Sequence, residues 1–210
     1  IVGPDAPPEK RNILGVIEKA GLDIAKEVIK HRAYGQKITE IIGGKATHPV
    51  CGLPGGISKP LSEENRQEIE KMAASSVEFA KLSLKLFHDI VLGNSAYVDM
   101  IKSDAYTMKT YYMGLVDDKN KVNFYDGKIR VADPDGREFL KFEPKDYLQH
   151  IGEHVEQWTY SKFPFLKKVG WKGLVYGADS GIYRVGPLGR LNAADGMATP
   201  LAQAEYELMY

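Results

Sequence analysis

Between Ser62 and Gly93 the apolar residues Ile69, Ala73, Val77, Ala80, Leu84, Phe87 and Val91 follow one another at spacings of 4, 4, 3, 4, 3 and 4. That is the period of one face of an α-helix. Ser62 is placed to cap it, Glu63 and Glu64 sit in the first turn where the helix dipole favours negative charge, and Gly93 supplies the stop. About thirty residues rising ~1.5 Å each make a rod of roughly 45 Å. Such a rod exceeds what a small isolated domain needs and predicts a scaffold.

Helices also precede it. Pro7 and Pro8 lead into EKRNILGVIEKAG, whose Ile13, Val16, Ile17 and Ala20 predict a helix that Gly21 breaks. A second, near 22–42, ends at Gly43 and Gly44, and a weaker helical piece spans 97–108. From Thr110 the pattern changes to YYMGLV, VNFY, KIRVA and EFLKF, separated by DDKNK, DG and DPDG. Short alternating runs between turn signals predict an antiparallel meander of three or four strands, lying on the helices rather than holding a core of its own. Helix is expected again over 144–158. The remainder, rich in Gly, Pro and aromatics, is expected to be irregular but ordered by its rings. The predicted class is α+β, mainly long packed helices with a small sheet: 1–109 helical, 110–142 the β meander, 143–210 helix plus ordered irregular chain.

The 210 residues are 43% hydrophobic and 27% charged, enough to bury one sizeable core or two small ones. Lys plus Arg equals Asp plus Glu at 28 each, so no basic surplus points to nucleic acid, and none is expected as a partner. No apolar run approaches the roughly 18 residues that span a bilayer, and IVGPDAPPEK lacks the basic start and apolar centre of a signal peptide. A lone cysteine, Cys51, rules out an intrachain disulfide and fits a reducing compartment, so a cytoplasmic chain is expected. The chain opens on Ile1 and closes on ATPLAQAEYELMY, a helix with Thr199 as N-cap and Pro200 at its first position that stops while still apolar. These ends predict a segment excised from a longer protein, and hence exposed apolar surface on the segment alone.

EIIGGKATHPVCGLPGG, residues 40–56, crowds glycines, Pro49, Pro54, Lys45, His48 and Cys51 into one loop. A nucleophilic Cys51 would need its base beside it; His48 is three residues away in a turn that does not force the side chains together, and a small buried hydrophobe is the simpler reading of the thiol. The glycines do not make a phosphate loop, which leaves a strand, enters a helix and ends in Lys-Ser or Lys-Thr. Their spacing around Pro54 predicts tight backbone approach to something bulky. His150 and His154, four apart on the expected helix, lack a third ligand and the His-Glu-x-x-His order, so a structural or solvated role is expected of them.

GGKATHPVCGLPGG resembles the third motif of nickel–iron hydrogenase large subunits, and YRVGPLGRLNAAD, residues 183–195, resembles the fourth, usually Gly-Pro-Leu-Ala-Arg-x-Asn. Gly189 stands where Ala is usual, a change that reads as tolerable between two small residues. VGPDAPPEKRNILGVIE, IGEHVEQWTYSKFPFLK and ADGMATPLAQAEYE are similar to the cytoplasmic members that pass electrons to nicotinamide, deazaflavin or heterodisulfide-reducing partners. In that family two Cys-x-x-Cys pairs hold the metals; neither pair is in this sequence, and Cys51 matches no ligand position.

The resemblance therefore implies the middle of a large subunit, hydrogenase large-subunit-like in fold. Its full-length parent would carry a Ni-Fe centre, oxidise H2 reversibly and pass electrons to an iron-sulfur small subunit, then to further electron-transfer subunits. For this segment it implies no cofactor, no catalytic residue and no metal ligand. His48, Pro49, Gly55, Gly56, Arg190 and Asn192 are implied as groups around the metal site or at the subunit interface. A rival reading is a metal-free scaffold or interaction module of the same fold in a redox complex, as in the quinone-facing relative of respiratory complex I. The two retained motifs favour the hydrogenase pattern.

Overall fold

The computed structural model describes residues 2, 3 and 5–209. The chain divides into two compact units, Ile1–Ser95 and Ala96–Tyr210.

Unit 1 is helical. α1 (Ile13–Ala20) starts where the Asn12 side chain accepts the backbone N–H groups of Leu14 and Gly15, an N-cap the leading prolines do not announce. α2 (Leu22–Gly43) follows directly. After a loop carrying a minimal hairpin, β1 (Gly52–Leu53) and β2 (Gly56–Ile57), comes α3 (Glu63–Phe87), capped by Ser62, whose hydroxyl accepts the Asn65 N–H at 3.2 Å. A single π turn over His88–Leu92 carries the rod to Gly93. Ile69, Ala80, Leu84, Phe87 and Val91 are half-buried, but Ala73 and Val77 lie exposed, and Met72 is the buried residue of α3.

What joins α2 to α3 is a histidine the apolar period passes over. His31 Nδ1 donates to the Glu27 carbonyl at 2.8 Å, its Nε2 lies 3.2 Å from both oxygens of Ser75, and its ring stacks on Phe79 at 4.3 Å. Unit 1 leaves much apolar surface uncovered, with Leu14, Leu22, Ile29, Ile42 and Val77 all exposed. The expected apolar exposure is present.

Unit 2 is built on a four-stranded sheet in the order β5-β4-β3-β8. β3 (Tyr111–Val116), β4 (Lys128–Ala132) and β5 (Glu138–Phe142) form the predicted antiparallel meander. The fourth strand is not VNFY, which contributes only an isolated bridge at Val122. It is β8 (Tyr183–Arg184), parallel to β3. The sheet also has its own core, against expectation: Tyr111, Val131, Phe142 and Leu166 are buried together, with Met113 and Ile129 packed on them. On the opposite face α6 (Gly186–Ala193) lies along β3, so both faces are covered and inward residues appear in both alternation phases.

The helix expected over 144–158 is corrected. Helix is confined to a turn at Pro144–Asp146 and α5 (Tyr147–His150), after which β6 (Ile151–Val155) pairs antiparallel with β7 (Lys162–Leu166). The Phe165 ring packs where a side chain at Gly152 would stand, and period-two alternation from Ile151 prevails over helix propensity. α4 (Ser95–Lys102) and α7 (Pro200–Met209) complete the elements. The α+β class holds, with small sheets. No helix among the described residues is long and apolar enough to cross a membrane.

Candidate functional site

In unit 1 the loop after α2 is preorganised by backbone geometry. Pro49 comes so close to Gly43 that a Cβ there would lie 2.3 Å from the proline Cβ, and Val50 N–H bonds back to the Gly43 carbonyl at 3.2 Å. His48 adopts the left-handed region at φ 50°, uncommon for a side-chain-bearing residue. Leu53-Pro54-Gly55-Gly56 forms the hairpin turn, with Gly55 at φ 84° after a proline, the order a type II turn requires. Ser58 N–H closes it on the Cys51 carbonyl at 2.8 Å.

The loop is presented outward. His48, Pro49, Gly55 and Gly56 are exposed, and so are Val50 at 73%, Leu53 at 58% and Ile57 at 66%. No group lies within 4 Å of where a Cβ on Gly52, Gly55 or Gly56 would stand, so the predicted tight approach occurs at Gly43 instead. No hydrogen bond joins His48 to Cys51 among the described residues, and no group of three metal-ligating side chains occurs among them.

In unit 2 Arg190 holds its guanidinium 5.1 Å from the Phe124 ring centre. Asn192 Nδ2 donates to the Leu188 carbonyl of its own helix at 2.9 Å. These residues and the His48 loop lie in separate units. His150 stacks on Phe142 at 4.1 Å, and His154 stacks on Trp171 at 4.4 Å while bonding Glu156 at 2.8 Å. Both imidazoles are used structurally.

Sequence reasoning missed a charged knot beneath α6. Arg130, buried in β4, donates Nε to Glu138 at 2.8 Å and Nη1 to the Ala193 carbonyl at 3.0 Å and to Asp195 at 2.8 Å. It thereby puts a positive charge at the C-terminus of α6, where the helix dipole favours one. Asp195 also accepts from Asn120 at 2.8 Å, and Asn120 accepts from Lys141 at 2.6 Å. Partial burial opposes ionisation of Asp195, but the bonds from Asn120 and Arg130 outweigh it and hold the carboxyl below its usual value. At Asp133 burial likewise opposes the charge, but hydrogen bonds from the Arg137 and Asp135 backbone N–H groups outweigh it and hold the carboxyl below its usual value. A depressed carboxyl adds stability that is complete above the unfolded value of about 3.9 and disappears as pH falls through the lower native values. Denaturant midpoints are therefore expected to hold from pH 7 to about 5 and fall below about 4, and Asp195→Asn should flatten that fall.

Unit 2 also contains a cleft of about 360 Å³. Trp171, Phe163, Pro164, Tyr176, Tyr183 and Arg184 line it together with the fully buried Thr110. Arg184 Nη2 donates to the Tyr176 hydroxyl, and its guanidinium sits 5.2 Å from that ring's centre. Burial pushes the Tyr183 phenol above its ordinary value, so this wall stays neutral.

No protein-family profile matches the chain. Individual hydrogenase proteins do. All 210 residues align, at 45% identity, with 43% of an iron-sulfur subunit of the F420-non-reducing hydrogenase of Archaeoglobus profundus. Another 48% identity over 203 residues, 97% of this chain and 46% of the relative, is shared with a vhu subunit of the F420-non-reducing hydrogenase of Methanocaldococcus jannaschii. The chain is thus similar to a part of these hydrogenase subunits. A solved NAD+-reducing NiFe-hydrogenase in its H2-reduced state superposes with a TM-score of 0.77 and 29% identity, covering 99% of this chain and 44% of the other. The chain thus spans less than half the length of the hydrogenase subunits it matches.

The large-subunit expectation is corrected by these relatives. The one aligned over the whole chain is an iron-sulfur subunit by name, the second is a vhu subunit, and neither is named as a nickel–iron large subunit. The physical reason lies in the motifs that suggested it: GGKATHPVCGLPGG and YRVGPLGRLNAAD shape backbone through glycine and proline and contain no thiolate pair, so they report a fold and not a metal. The Ni-Fe centre assigned to a parent, and the iron-sulfur small subunit cast as its complement, are withdrawn with the label. An iron–sulfur cluster does not fit these residues either. Such clusters take about four thiolates, and Cys51 is the one cysteine in the chain.

Proposed function

We propose that these residues form a subunit-contact segment of a hydrogenase-related oxidoreductase, docking through the loop between α2 and α3 onto another hydrogenase subunit. The observation that carries this reading is the exposure of Val50, Leu53 and Ile57 on a turn already fixed by Pro49, Pro54 and Gly55. Exposed apolar side chains on a rigid turn bury area on association at little ordering cost. His48 and Gly56 flank them and complete the contact. Arg190, over the exposed Phe124 ring, and Asn192 belong to a second contact on unit 2. Redox chemistry falls to other residues of the assembly: this segment has one cysteine, and no cluster of three or more metal-ligating side chains occurs among the described residues. A cytoplasmic location goes with the single unpaired thiol.

The test is Leu53→Asp with Ile57→Asp in the full-length protein, followed by size-exclusion chromatography of the assembled complex. Both positions are exposed, so the far-ultraviolet circular dichroism should be unchanged while partner subunits are lost, association weakening at least about a hundredfold from two buried hot-spot side chains. Co-elution at the wild-type ratio would remove the reading.

A further inference from the structure

We propose that the unit 2 cleft binds a small aromatic carboxylate, its ring against Trp171, Phe163 and Pro164 and its carboxylate on Arg184. The volume of about 360 Å³ falls within the ~300–1,000 Å³ of ligand clefts, which combine apolar walls with few converging polar groups. Three rings besides its own hold Trp171 in place: His154 stacked at 4.4 Å, Phe163 at 5.9 Å and Phe165 at 6.0 Å. A ligand ring therefore meets a wall that needs no reordering.

The polar side of the cleft selects charge. Thr110 is fully buried and turns its hydroxyl onto the Ile182 carbonyl at 3.3 Å, so it offers no competing donor. Arg184 makes no ion pair with a carboxylate among the described residues. Its Nη2 is engaged by the Tyr176 hydroxyl and its face by the Tyr176 ring. A guanidinium carries five N–H donors in a rigid fork that matches a carboxylate. The unfilled valence at the cleft is thus an anion beside an aromatic surface, and neither an uncharged ring nor a bare inorganic anion satisfies both halves.

Equilibrium dialysis of the full-length protein against radiolabelled benzoate and benzamide tests this. Expected is one benzoate per chain, bound about tenfold or more tighter than benzamide, the margin of a charge-assisted pair. Arg184→Gln should erase that margin and leave benzamide binding as it was, which also reports an intact cleft. Leu174→Trp, placed at an exposed lining position, should fill the cleft and abolish binding of both. Absence of saturable benzoate binding, as when another polypeptide stretch fills the cleft, overturns the proposal. So does equal binding of the two probes, or an Arg184→Gln protein that keeps the preference.

Discussion

Replacing Arg130 with alanine is expected to lower the stability of unit 2 by about 2–3 kcal/mol, seen as a drop in denaturant midpoint at unchanged slope. The side chain is 9% exposed and satisfies three acceptors on three segments: Glu138 on β5, the last carbonyl of α6, and Asp195 beyond it. Removing one partner of a buried ion pair costs about 3–5 kcal/mol when the other stays dry. Glu138 and Asp195 are partly in water, at 44% and 57% exposure, and solvent screening brings the figure down. What water cannot easily restore is the Ala193 carbonyl, whose residue is fully buried. A double-mutant cycle with Asp195→Asn should return a coupling of about 1 kcal/mol or more, since the two groups share one network. Stability within about 0.5 kcal/mol of the unsubstituted chain would mean that the knot is held by Asn120 and Lys141 and that Arg130 only fills space.

Periodicity made the helices of unit 1 legible and left the knot hidden, for one physical reason. A repeat of three and four residues reports which face of a helix is apolar, so α3 and its Ser62 cap could be read directly. It is silent about polar residues that replace apolar ones at the same contact, and His31, bonded to Ser75 and stacked on Phe79, does so between α2 and α3. The sheet was legible as far as its hairpins went. β8 comes from some seventy residues beyond β3, and local turn chemistry holds no information about such a partner. Arg130 lies between Ile129 and Val131 in a strand buried on both faces, where alternation is lost. Nothing local separates an inward arginine from an outward one; its signal is the distant Asp195. His48, Pro49, Gly55 and Gly56 were found because Gly and Pro fix backbone shape locally, yet their outward placement is a property of the whole unit.

Gly189→Ala is expected to destabilise unit 2 by about 1–3 kcal/mol, the usual effect of overfilling a close contact. The α6 backbone rests directly on β3. A Cβ at 189 would stand 2.6 Å from the Arg184 carbonyl oxygen and 2.7 Å from that of Met113. Both obstacles are backbone, one on β8 and one on β3, so no rotamer change relieves them and the helix must lift. Small is not sufficient where the neighbouring atoms are carbonyl oxygens fixed in a sheet: this contact takes a glycine and leaves no room for the alanine methyl. Across the contact Gly114 is nearly as tight, with a Cβ there 3.0 Å from Arg190 Cα. Gly114→Ala should produce a smaller loss. The doubly substituted protein should lose less than the sum, because a helix displaced by one methyl has already made room for the other. Lifting α6 also lengthens the reach from Arg130 to Ala193 and Asp195, so Gly189→Ala should reduce the coupling between Arg130 and Asp195. Full additivity of the two alanines, or a Gly189→Ala protein as stable as its parent with that coupling intact, would show that α6 is positioned by the knot alone and that its glycine contact with β3 carries no strain.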